Sequence, residues 1–175
     1  MNVKICILIL MTTFFFISCD DKLLEQKKVD CYFQYEYVNY AWGFSHTGFT
    51  VTPDGEVFSF DNSTPWIFGD NSQLTLEELK KNISASVKAD TLISRSDIEH
   101  YVQLAFFARS GKLSDPVSRG ADMGERICKI FVHDTTDPQN GYREVLLTKN
   151  GDWDQSNLSP EAAIIAEWVS KLRFH

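Results

Sequence analysis

Histidine and cysteine, the side chains most often used for metal binding and nucleophilic chemistry, are scarce in this chain. Four histidines, His46, His100, His133 and His175, are spread over 175 residues. None stands in an H-x-x-x-H or H-E-x-x-H pattern, and no Cys/His group has zinc spacing, which argues against a His/Cys metal centre. There is no G-x-S-x-G elbow, so the usual signature of an activated serine is missing too. Basic residues do not cluster. Seventeen Lys and Arg stand against 24 Asp and Glu, a net charge of −7, and nothing offers the cationic stripe that nucleic acid or anionic lipid requires. No internal repeat, low-complexity tract or second-domain linker interrupts the chain. One long apolar run exists, Ile5 to Ile17, and it falls short of the ~20 residues that cross a bilayer.

That run has informative flanks. Lys4 precedes it, and Ser18 sets a small residue immediately before Cys19, the order of a signal peptide: charged end, apolar middle, small-residue cleavage site. With a cysteine directly after the cut, residues 1–19 resemble a bacterial lipoprotein signal. The resemblance implies cleavage before Cys19, lipidation of its thiol and of the new amino terminus, and attachment to a membrane through several acyl chains, which hold far better than one. Asp20-Asp21 look like the sorting determinants of some lipoproteins. The expected location is therefore the cell envelope, lipid-anchored, either periplasmic or surface-exposed. Residues 1–18 are read as signal, 19–30 as a charged, lipidated tether and 31–175 as one domain. Lys4 is the only charge lost with the signal, so the 157 residues from Cys19 onward carry −8. That length suffices for a proper core without many disulfides.

Two cysteines remain in the domain. In an oxidising envelope Cys31 and Cys128 are candidates for a single bridge. The alternative is two separately buried thiols, since free cysteine packs as a small apolar side chain.

The domain opens with an aromatic segment. Twelve of the twenty aromatics after Cys19 fall between Tyr32 and Phe68. Phe33, Tyr35 and Tyr37 alternate with Gln34, Glu36 and Val38, a strand period of two. Phe49–Thr52 and Val57–Phe60 flank Pro53-Asp54-Gly55, a hairpin turn by mechanism. Helical signals follow. Thr75 and Glu78 form a capping box with Leu74 and Leu79 as the staple, and Leu79, Ile83 and Val87 make the stripe. A second helix is predicted from Ser96, with Ile98, Tyr101, Val102, Ala105 and Phe106 inward and Gly111 as its stop. A third starts at Ser159-Pro160-Glu161, with Ile164, Ile165, Trp168, Val169 and Leu172 apolar. Ile127–Val132 and Tyr142–Thr148 read as adjacent antiparallel strands. The order lacks βαβ alternation. It predicts an α+β domain: an antiparallel sheet with about three helices packed on one face.

Candidate sites are few. Trp42, Phe44 and His46 stand among glycines in Tyr40–Gly48, and with Trp66 they form the candidate ligand-binding surface, since exposed rings stack on sugars and anchor protein partners. Sheet core is the competing role for the same rings. Asn150, Asp152, Asp154 and Glu161 have calcium-loop spacing, but Gln155 occupies the position of the obligatory Gly and a strand precedes the loop, so a polar turn is preferred. Ser118–Arg126 reads as a solvated, ion-paired connection. No cofactor, metal site or catalytic residue is assigned. The expected role is non-catalytic binding at the envelope, to another envelope protein or an extracellular ligand such as a glycan. Two alternatives stand beside it: a hydrolase of envelope polymers using His46, His133 and Asp134, and an inhibitor or immunity-type lipoprotein whose acidic face blocks a basic site.

Overall fold

The computed structural model describes residues 30–134 and 141–172. The signal, Cys19 and the tether up to residue 29 lie outside the described residues. In chain order the first elements are β1 (Cys31–Asn39), β2 (Ser45–Val51), β3 (Glu56–Asp61), β4 (Gln73–Thr75), α1 (Leu76–Ser84) and β5 (Val87–Leu92). Then come α2 (Arg95–Ala108), β6 (Val117–Ser118), β7 (Glu125–His133), β8 (Gly141–Gly151), β9 (Trp153–Ser156) and α3 (Pro160–Lys171).

The strands form one antiparallel sheet in the order β5-β3-β2-β1-β7-β8-β9-β6, with β4 added on β8. The α+β class and the antiparallel sheet are as the element order predicts. β1 lies in the interior of the sheet with both faces covered: Phe33 is buried on one, Gln34 and Glu36 on the other. On one face Cys31 and Phe33 join Val51, Ile130, Val132 and Leu147 in the main core. Helices α2 and α3 cover this face. Trp168 stacks on Tyr101 at 3.8 Å and meets Phe33 edge-on at 5.1 Å.

The β2–β3 turn follows its sequence. The Gly55 amide donates to the Thr52 carbonyl at 2.9 Å, and Gly55 has φ +81°, where a Cβ would sit 2.4 Å from the Ile93 carbonyl oxygen. Only glycine fits there. Thr75 and Glu78 close the capping box on α1, and Ser159 caps α3 with Pro160 behind it.

Three expectations are corrected. The helices do not share one face: α1 packs on the opposite side, where Leu74 and Leu79 meet Tyr32, Phe131 and Tyr142. β4, which pairs with β8, leads directly into α1; an apolar stripe marks a buried face but not the side of the sheet that buries it. Second, Val87 leaves the α1 stripe. The helix closes at Ala85, and Val87 joins β5 opposite Ser59 with 72% of its surface exposed. Third, α2 is capped by Ser94, whose hydroxyl accepts from the Asp97 amide at 3.1 Å. Its buried stripe runs Ile98, Ala105, Ala108, leaving Phe106 exposed, and Ile164 of α3 is likewise exposed.

Candidate functional site

The β1–β2 connection carries the most exposed rings of the aromatic segment. Asn39 ends β1 and fixes the base of the loop: its Oδ1 accepts from the Ala41 amide at 2.8 Å, and its Nδ2 donates to the Tyr37 hydroxyl at 2.9 Å. Tyr37 in turn donates to the Met123 carbonyl at 3.2 Å. Gly43, at φ +104° with open space around it, turns the chain back. From this anchored base Tyr40 and Trp42 project with 72% and 85% exposure, and Phe44 with 49%. Phe68, 47% exposed, comes from the β3–β4 connection and packs edge-on to Phe44 at 6.3 Å. Tyr40 lies 5.4 Å from Phe44.

Behind this tip the side chains are buried. His46 is fully enclosed by Phe60 at 4.7 Å, Trp66 at 4.8 Å and Phe68 at 5.1 Å. Its neighbours are fixed by α1, where the Asn82 amide hydrogen-bonds both the N–H and the carbonyl of Ile67 at 2.8 Å, as a strand partner would. Gly48 is needed beneath them: a Cβ there would come within 2.8 Å of the Phe60 ring. Of the four sequence candidates, the structure therefore places Trp42 and Phe44 on the surface, Trp66 half-buried and His46 in the interior.

His46 Nε2 lies 3.0 Å from Glu36 Oε2. The other Glu36 oxygen is 2.7 Å from Lys129 Nζ, which also reaches Glu144 at 3.1 Å. Gln34 donates to Glu36 at 2.6 Å and accepts from Thr50 at 3.2 Å. Strand register builds this network. Gln34 pairs with Thr50 on one side and Lys129 on the other, and Glu36, two residues on, points to the same face. Burial alone pushes the Glu36 carboxyl up, but Lys129 and the His46 contact outweigh it and hold it down to about 2. Lys129 is raised: its desolvation is outweighed by Glu36 and Glu144. A buried carboxylate held that low is a poor proton acceptor at neutral pH, so this network fits a structural role. His46 Nδ1 has no hydrogen-bond partner. Gln34 and Glu36 were legible only as the polar half of an alternation. Their burial depends on Lys129, a partner 93 positions away from Glu36 in sequence.

The other candidate residues are dispersed. His46 is level with Val38 and Glu125, whereas His133 stands eight residues further along β7, roughly 26 Å at ~3.3 Å per residue. The proposed hydrolase trio His46, His133 and Asp134 is not brought together, because it sits at opposite ends of the sheet. Cys31 and Cys128 are both buried and free. Cys128 pairs with Tyr35, four residues from Cys31, a separation of roughly 13 Å along the strand against the ~7 Å Cα limit of a bridge. The bridge is not formed, and the second alternative, two buried thiols, is the one seen. Asp152 accepts from the Met123 amide, while Asp154 pairs with Arg119 and accepts from Gly151; the calcium spacing is used as a turn. Among the described residues no three His, Cys, Asp or Glu side chains are placed to hold a metal ion.

Comparison with protein-family models and with curated proteins finds no match for this chain.

Proposed function

We propose that this protein is a membrane-anchored envelope lipoprotein whose folded part is a non-catalytic binding domain, with the aromatic tip as its contact surface. The observation that carries the reading is the grouping of Tyr40, Trp42, Phe44 and Phe68 in water while the rings around them are packed. Tryptophan and tyrosine gain most by burial and are the favoured anchors of protein interfaces. A cluster of them left exposed on a braced loop is the mark of a recognition surface.

The position of the tip supports the same reading. The described residues enter β1 at Cys31, and the tip follows the far end of that nine-residue strand, about 30 Å away. A tether from Cys19 would join the described residues next to Cys31, the end of β1 away from the aromatic tip. The tip is thus suited to a partner or glycan away from the point of attachment.

Two experiments test the two halves. Cys19→Ser should move the protein from the membrane to the soluble fraction; membrane retention by this variant counts against the anchor. A photocrosslinking residue at position 42, in intact cells, should yield a discrete adduct that the same residue at position 99 on α2 does not. Equal labelling from both positions, or none from position 42, removes the tip as a contact surface.

A further inference from the structure

On the helix-covered face, beyond the end of the apolar core, the geometry points to a separate ligand site: a pocket for a small organic carboxylate, with Arg126 as its charge partner. A cavity of about 330 Å³ opens there between α3 and the sheet. Its floor is the cross-strand row Tyr35, Cys128 and Thr148, and one pair further along lie Arg126 and Asn150. The gap has a structural cause. Where α3 carries Ile165 and Val169 the space above the sheet is filled, and both side chains are fully buried. Over this row the helix offers Ala163, Ala166 and Ser170 instead, side chains too short to reach across. The volume is at the lower end of the range used for small-molecule sites.

The charge distribution selects the ligand. The chain is acidic overall, and Arg95, Arg119, Lys88, Lys129, Lys149 and Lys171 are all in ion pairs. Among the described residues Arg126, like Lys80, Lys81, Arg109, Lys112 and Arg143, has no carboxylate within ion-pair distance, and of these six it is the one that lines the cavity; its guanidinium lies 5.7 Å from the Tyr37 ring centre. The acid on the cavity wall, Glu167, is already paired with Lys171 one turn on. Arg126 is exposed at the mouth of the cavity, free of an ion-pair partner and flanked by the neutral Thr148 and Asn150. A guanidinium presents parallel N–H donors that match a carboxylate, and Ala163, Ala166 and Cys128 supply an apolar wall for the remainder of the ligand. The site binds rather than reacts: burial pushes the Cys128 thiol up to about 12, so it is no nucleophile at neutral pH. None of these residues belongs to the aromatic tip, and the pocket opens on the face opposite His46.

The test uses the full-length protein in detergent and sodium benzoate as the probe, with benzamide and benzylammonium as its neutral and cationic counterparts. Benzoate should raise Tm by about 3–5 °C at roughly ten times its Kd, with NMR shifts confined to Arg126 and residues 163–170, and neither counterpart should do so. Arg126→Gln should weaken benzoate by about tenfold or more. Ala166→Leu, whose side chain fills the cavity, should abolish binding, while Arg119→Gln should leave it unchanged. Unchanged Tm at about 10 mM benzoate, where even a millimolar site is mostly filled, overturns the assignment. So does an equal response to benzamide, or benzoate binding that survives Arg126→Gln or Ala166→Leu with the fold intact.

Discussion

The two faces of one sheet are built on different chemistry. Under α2 and α3, Phe33, Ile130, Val132 and Leu147 pack against alanine and branched side chains, and the interaction is non-directional burial. On the other face the same strands bury Gln34, Glu36, Thr50 and Lys129, where each group must find a partner of the right sign and distance or pay for its desolvation. The first face tolerates rearrangement, provided volume is conserved. The second depends on register, since a slip of one residue would replace Glu36 by an aromatic ring against Lys129. Burial contributes on both sides; on the polar side it also specifies which strand positions meet.

Substitutions can break that contrast. Phe33→Ala, on the apolar face, should cost the most, about 3–5 kcal/mol at any pH, read from urea or thermal unfolding. Glu36→Gln should cost about 3 kcal/mol at neutral pH, because Lys129 and His46 lose their buried counter-charge. Its cost should also depend on pH, unlike that of Phe33→Ala. The folded-state carboxyl titrates near 2, below its ordinary 4.5, so its stabilisation is present above about 4.5 and is lost as pH falls toward 2. Wild-type and Glu36→Gln stabilities should converge across that window; parallel acid limbs would show that Glu36 is not held low. Thr75→Ala, which opens the capping box of α1, should cost about 1 kcal/mol. Trp42→Ala should change stability by less than about 0.5 kcal/mol, as expected of an exposed side chain away from the core, while a crosslink from a neighbouring tip position should be lost.

The elements legible in the sequence are those whose signals are local. Thr75 with Glu78, Ser159 with Pro160, and Pro53 through Gly55 each act within four residues of themselves, and each does in the structure what its chemistry predicts. β7 and β8 were readable because both are long and rich in branched side chains. β4, β6 and β9 were not, because strands of two to four residues have no pattern of their own and exist through their partners. Val87 misled for a related reason, since its spacing from Leu79 and Ile83 continues the helical stripe past the residue where the helix closes. The tip was visible as aromatic content between glycines, but composition could not divide exposed Trp42 and Phe44 from enclosed His46. That division is made by Phe60, Phe68 and Asn82, which approach from other elements.

The run of β1 from Cys31 to Asn39 has a mechanical consequence. A pull applied between Asp30 and Trp42 is carried by the backbone of that one strand, which is already extended at about 3.3 Å per residue and has almost no slack to give. Neither α2 nor α3 lies on the load path, and the main core meets it only through the side chains that β1 itself contributes, Cys31 and Phe33. Tension between those two points would be borne by covalent bonds, with the rest of the domain riding on the strand as an unloaded passenger.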